Sequence, residues 1–316
     1  MSTPGANIRQ IEKWKTDSWE SVEFYNKWFM EFAPIAFQTA RKDALKKVMS
    51  TLCLTKDFTE LTPETILNSP QILSVLRMVT APPLAQERLA GLSYLSKSFL
   101  KSLEKDKLPK SIATTELMDS LTRVLKPIRT MLDKDLFPWL SGKSITPQQR
   151  SRSAYIIADR LTGALSDPII RTEQEKRQLK AIGIYLEAKG YLFIKKVDNF
   201  KSMLPRTFSY HVNVPVKLGD SKTVNMPIDV VIRPETISEY PILVECKSAG
   251  DFTNTNKRRK EEATKINQLR ATYGNDISFC LFLCGYFDTG FLGYEAAEGI
   301  DWVWEHRISD FDKLGV

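Results

Sequence analysis

Up to about residue 190 the apolar residues of this chain recur at every third and fourth position, and beyond it they alternate one for one with polar neighbours. The first pattern makes amphipathic helices and the second half-buried strands. Leu84, Leu89, Leu92, Leu95, Phe99 and Leu103 carry the helical period. Thr16-Asp17-Ser18, Thr62-Pro63, Ser69-Pro70 and Thr146-Pro147 read as helix starts, each supplying a capping oxygen or a proline suited to a first turn, and Pro34 is expected to open a further segment. RTEQEKRQLKAIGIYLEAKGY reads as one amphipathic helix ending at Gly190. After it come the strands TFSYHVNVPVKL, TVNMPIDVVIR (past a Gly219-Asp220 turn) and YPILVECK, then the charged helix NTNKRRKEEATKINQLRATYG, the buried strand ISFCLFLCGYF, a short helix and a last strand in GIDWVWEHR. The expectation is an α/β (α+β) fold in two domains, a helical one over 1–167 and a sheet-bearing one over 168–316, divided at Asp167-Pro168.

A length of 316 residues accommodates two such domains. No apolar run is long enough to span a bilayer, and the opening MSTPGANIRQ lacks the apolar stretch of a signal peptide, so a soluble cytoplasmic protein without a membrane partner is expected. Forty-five Lys and Arg against 38 Asp and Glu leave a net charge of +7, which suits a polyanion if it is gathered on one face. Of the cysteines, Cys280 and Cys284 share one strand at a spacing too wide for a disulfide and read as buried thiols. A zinc site would need His211 and His306 to be brought in by the fold.

Two of the strands carry charge that is costly to bury. On YPILVECK the two-residue period puts Glu245 and Lys247 on one side and Val244 and Cys246 on the other. If MPIDVVIR is its hairpin neighbour, Asp229 lies beside Glu245. Two carboxylates with the peptide oxygen of Cys246 make an all-oxygen donor set suited to magnesium. Lys247 next to it is placed to hydrogen-bond or deprotonate an attacking water. Such a set serves phosphodiester hydrolysis, where a divalent cation offsets charge on the phosphoryl oxygens. The plainer alternative is two strand ends joined by an ordinary salt bridge.

Further residues bear on the choice. Glu175 projects from the stripe of Leu179, Ile182 and Leu186, either as an added catalytic carboxylate or as a favourable charge near a helix start. The basic run Lys257, Arg258, Arg259 and Lys260 follows the strand closely, as phosphate contacts or as a solvated helix face. Asn254 and Asn256 suit base edges or helix capping, and Lys265 and Gln268 lie further along the same helix as candidate DNA contacts. Arg77, Arg88, Arg150, Arg152 and Arg160 are DNA-contact candidates in the helical half, while His211 and His306 read as structural and Glu305 as a marginal cleft residue. The aromatic residues of WKTDSWESVEFYNKWF are spaced for packing.

Asp229, Glu245 and Lys247 match the PD-(D/E)xK nuclease motif, with Ile228 interposed between its proline and aspartate. RMVTAPPLAQERLAGL, IIADRLTGALSDPIIRTEQEKRQL, VECKSAGDFTNTNKRRKEEA and GYEAAEGIDWVWEHRI resemble stretches of the XamI-type restriction endonucleases. The resemblance implies a magnesium-dependent type II enzyme of a prokaryotic restriction-modification system. Such an enzyme cuts double-stranded DNA at a short palindrome as a homodimer, beside a cognate DNA methyltransferase as genetic partner. It assigns Asp229 and Glu245 as metal ligands and Lys247 to the attacking water, and it makes GTCGAC, the site of the family's namesake, the leading candidate sequence. A repair or modified-DNA nuclease on the same core, and a DNA-binding module without catalysis, are the rival expectations; the second is disfavoured by the presence of all three motif residues.

Overall fold

The computed structural model describes residues 5–109, 112–218, 222–235, 239–253 and 255–316, without the side chains of Asp167 and of residues 255–259. The Gly219-Asp220 turn and Asn254 lie outside the described residues. Two compact units emerge: Ala33–Ile170, and the residues up to Phe32 together with Arg171–Val316.

The helical unit is built from the later part of α1 (Trp14–Leu54), then α2 (Pro63–Asn68), α3 (Leu73–Leu76), α4 (Gln86–Ser93), α5 (Lys97–Glu104), α6 (Thr114–Thr130) and the first part of α7 (Pro147–Ala188). Its core gathers Val48, Leu52, Leu76, Leu100, Leu121 and Ile157, all essentially inaccessible. Thr62 caps α2 from the residue before Pro63, accepting from Thr65 N, and the Thr146 hydroxyl accepts from Gln149 N at 3.2 Å at the start of α7. The leucine stripe from Leu84 to Leu103 is divided between α4 and α5, because Tyr94 turns left-handed and Ser96 caps a fresh helix.

Two expected breaks are absent. Pro34 sits inside α1 and Pro168 inside α7, and both helices continue through them. A proline costs an interior helix one hydrogen bond and some steric strain. Burial of Tyr25 and Ala44 around the first, and of Leu161 and Gln178 around the second, ties each helix down on both sides of its proline. The division of the chain therefore falls inside helices, and the first 32 residues group with the sheet. Backbone amides of Asn7 and Ile8 donate to the Asp301 carboxylate at 3.0 Å, Asn7 Nδ2 donates to Asp310 Oδ2 at 2.8 Å, and Gly285 N donates to Ser21 Oγ at 2.8 Å.

The second unit is a six-stranded mixed sheet in sequential order: β1 (Leu192–Phe193), β2 (Thr207–Leu218), β3 (Lys222–Arg233), β4 (Ile242–Ala249), β5 (Ser278–Gly285) and β6 (Asp301–Trp304). β2, β3 and β4 form an antiparallel meander, whereas β4, β5 and β6 run parallel. The parallel steps are crossed by α8 (Thr255–Tyr273) and α9 (Thr289–Ala297). Period-two alternation sends Leu243, Ala249, Leu281 and Leu283 to one face, against Ile266 and Leu269 of α8. Val230, Val244, Cys280 and Phe282 go to the other, against Leu179 and Ile182 of α7. Helices thus cover both faces of the charged strand β4.

Candidate active site

The β3–β4 ladder runs from Ile232↔Ile242 to Val230↔Val244 and stops there, while β4 stays paired with β5 as far as Ala249↔Gly285. The two strands of the meander therefore part just where the charged residues begin. Cys246 N donates instead to Asp229 Oδ2 at 2.8 Å, so the aspartate side chain supplies the acceptor that a continued ladder would have given. Asp229, Cys246 and Lys247 open onto a cleft of about 330 Å³, with Gln174, Glu175 and Gln178 of α7 and Glu261 of α8 also in its walls.

Glu245 lies beneath that cleft, 6% exposed. Its Oε1 accepts from Lys247 Nζ at 3.1 Å and from Lys265 Nζ, and Lys247 Nζ is also 3.0 Å from Oε1 of Glu262, a residue of α8 with no solvent exposure. Glu245 Oε2 is buried with no hydrogen-bond partner among the described residues. Burial, and then the neighbouring charge of Glu245, push the Asp229 carboxyl above its ordinary range, against the pull of the Cys246 amide and the two lysines. Burial alone would lower the Lys247 amine; the negative charges of Glu245 and Glu262 outweigh it and hold the amine up, as an ammonium. Burial raises Glu262 against the opposing charge of Lys247. An orphaned carboxylate oxygen and a second carboxyl resisting ionisation, all oxygen donors, fit a hard divalent cation such as magnesium.

Glu175 borders the cleft from α7, half-exposed, with Oε1 3.9 Å from His211 Nε2. His211 adopts a left-handed backbone (φ 52°) opposite Asp229, where the β2–β3 pairing is interrupted between Tyr210↔Val230 and Val212↔Ile228 without a change of register. Lys265, expected on DNA, is engaged with Glu245, while Gln268 is half-buried and is not among the residues lining the cleft. Asn256, Lys257, Arg258 and Arg259 fall on α8 with their side chains outside the described set, and Lys260 is exposed.

Three of the five candidate arginines are used internally. Arg77 pairs with Glu104 and donates to Leu84 O, Arg150 pairs with Asp57 at 2.7 Å, and Arg160 pairs with Asp133 at 2.9 Å; Arg88 and Arg152 are exposed. Glu305, expected near the cleft, is buried against Arg177, with N–O distances of 2.9 and 3.0 Å. Cys280 and Cys284 are buried free thiols, and Cys53 is an exposed one. Among the described residues the group of side chains with metal-ligand spacing is Asp17, Glu20 and His306, and it includes no cysteine. Asp17 is already held by both terminal nitrogens of Arg307 at 2.6 and 2.7 Å.

Sequence reasoning did not single out Glu262, Gln178 or Glu261. Glu262 stands four and seven residues before Ile266 and Leu269, on the buried stripe of α8, and that offset was its signal. Gln178 gave none: its amide donates to the carbonyls of Lys247 and Phe282 at 3.3 and 3.2 Å, bridging two strands from the helix above.

A mixed sheet sheathed by helices, with a buried carboxylate–lysine cluster where a hairpin opens, is a restriction-endonuclease-like fold. The chain belongs to the XamI restriction endonuclease family, a class of site-specific deoxyribonucleases, whose model matches residues 56–304. It is similar to the type II restriction enzyme SalI of Streptomyces albus G, with 48% identity over 316 residues, 98% of this chain and 99% of that one. Among solved structures, protein VC1899 from Vibrio cholerae aligns over 79% of this chain and 55% of its own at 14% identity, with a TM-score of 0.29, a likeness too loose to carry an argument. Among the described residues no helix is long and apolar enough to cross a membrane.

Proposed function

We propose that this protein is a magnesium-dependent type II restriction endonuclease of the PD-(D/E)xK superfamily, cutting both strands of duplex DNA at a short palindrome, with GTCGAC the leading candidate. The observation that carries the reading is the meeting of Asp229, Glu245 and Lys247 where β3 leaves β4, with the Asp229 carboxylate on the Cys246 amide. Asp229, Glu245 and the Cys246 carbonyl would hold the cation. A bound divalent ion supplies positive charge for the phosphoryl oxygens and a water acidified to work at neutral pH.

The chain's own contribution is positional. Lys247, kept as an ammonium by its carboxylate neighbours, acts as a hydrogen-bond donor toward the attacking water or a phosphate oxygen and stabilises charge as it develops. That role replaces deprotonation of the water by the amine. Glu175 and its neighbour His211 border the approach to Asp229 from the α7 side. In the sequence, Asn254, Asn256 and the basic run Lys257 to Lys260 follow β4 closely and are the proposed track for the DNA backbone and base edges. A homodimer would match a two-fold site, one subunit to each strand. The division into a helical support and a nuclease unit, a cytoplasmic prokaryotic setting and a cognate methyltransferase as genetic partner belong to the same proposal.

Digestion of a sequenced plasmid with magnesium, followed by mapping of the ends, tests it. Discrete double-strand cuts at one palindrome are expected, and Lys247→Ala should bind duplex DNA without cutting it. Cleavage confined to nicks, flaps or mismatches would move the assignment to a repair nuclease, and a wild type that cuts no DNA would leave only binding.

A further inference from the structure

Glu262 has no task in the reading above, yet it is the most thoroughly buried carboxylate of the cluster. It shares a helical stripe with Ile266 and Leu269, where an apolar side chain would be cheaper to bury. Its neighbour Glu261 faces the cleft, so the helix offers one carboxylate to solvent and keeps the next inside. Among the described residues its one ion pair is with Lys247 Nζ at 3.0 Å. Lys247 lines the cleft and Glu262 does not, so the carboxylate holds the ammonium from behind.

We propose that Glu262 is a positioning residue for DNA cleavage, retaining the Lys247 ammonium at the cleft when Glu245 is shared with a divalent cation. The inference rests on the proposed function. Without a cation, Glu245 Oε1 accepts from both Lys247 and Lys265. A cation drawn to Glu245 weakens that acceptor and repels both ammonium groups. Lys265 sits on a helix surface, 23% exposed, and has water to move toward; Lys247, 17% exposed on a central strand, has Glu262. A buried carboxylate with no other hydrogen-bond partner among the described residues is the counter-charge that such a displacement requires.

The test uses full-length Glu262→Gln, Glu262→Asp, Lys247→Met and the double variant Glu262→Gln/Lys247→Met. Glu262→Gln should lower the kcat of plasmid cleavage about a hundredfold, the scale of a reacting group misplaced by about 1 Å, while KM and duplex affinity stay within about twofold. Glu262→Asp, which keeps the charge, should recover about tenfold of that loss, and Glu262→Gln should add nothing in the Lys247→Met background. Metal-free thermal unfolding gives a readout independent of activity: the double variant should melt above Lys247→Met, which leaves Glu262 buried without its ammonium. Wild-type cleavage by Glu262→Gln, losses that multiply in the double variant, or a double variant that melts below Lys247→Met each overturn the role. A wild type that cuts no DNA overturns the proposed function first and this inference with it; a cutting wild type with an unaffected Glu262→Gln removes only the role of Glu262.

Discussion

Replacing Asp229 by asparagine should stabilise the metal-free protein while ending cleavage. Burial and then the charge of Glu245 raise the Asp229 carboxyl above its ordinary 3.8, and the Cys246 amide, Lys247 and Lys265 only partly offset them. A raised folded pKa means that the group's contribution to stability is full below its ordinary value and is lost as pH climbs through the raised one. At neutral pH the ionised carboxylate is therefore a net cost to the fold. Asparagine removes the charge and keeps an oxygen for the Cys246 N–H, now donating at 2.8 Å. The gain should be on the order of 1 kcal/mol, in the range found when strained functional sites are relaxed. For a chain of this size that raises Tm by about 2 to 4 °C. Magnesium should reverse the order, because a ligand present at about a hundred times its Kd adds about 2.7 kcal/mol to a protein that binds it and almost nothing to one that has lost a ligand. The assay is thermal unfolding of both proteins across pH 4 to 8, with chelator and with magnesium. The metal-free difference should shrink toward acid pH as the wild-type carboxyl protonates. A variant less stable than wild type at pH 7 without metal, or equal stabilisation of the two by magnesium, would refute the reasoning.

Arg177→Met should destabilise the fold by about 3 to 5 kcal/mol, since it strands a buried carboxylate. Glu305 is 3% exposed in that pair, and the lost guanidinium also stacks on Trp28 at 4.3 Å. Urea unfolding should show Arg177→Met/Glu305→Gln costing less than the sum of the singles, and strict additivity would count against a coupled pair. Lys265→Met should lower the magnesium concentration for half-maximal cleavage several-fold, by removing one of two ammonium groups that compete for Glu245 Oε1; an unchanged or higher midpoint would mean that Lys265 does not compete.

The strands were legible because alternation over eight to twelve residues has no helical counterpart: β2, the strand of Asp229 and the strand of Glu245 lie where the pattern places them. Helix ends were less so. Thr16-Asp17-Ser18 has the chemistry of an N-cap, yet it lies inside α1, where Asp17 takes the Arg307 guanidinium and Ser18 Oγ donates to Trp14 O at 2.7 Å. A polar residue's partner across the chain is invisible in local sequence, and the same blindness made Arg77, Arg150 and Arg160 look available for DNA. Prolines 34 and 168 misled for a related reason, since distant packing overrode a local cost. β1, two exposed residues long, has too little pattern to read at all.

The charges of the cluster explain why so much ionisable material is tolerated on a central strand. Counted as ionised, Asp229, Glu245 and Glu262 outnumber Lys247 and Lys265 by one charge. On the proposed function, one divalent ion turns that into one net positive charge, and one DNA phosphate brings it to neutrality. Buried charge is least costly when it is paired within a few ångströms. The arrangement also accounts for the separation of roles between the two glutamates that hold Lys247. Glu245 must be free to change partners, and its unpartnered Oε2 gives it the means. On the same proposal Glu262 keeps its partner: it is fully buried, and among the described residues its ion pair is with Lys247.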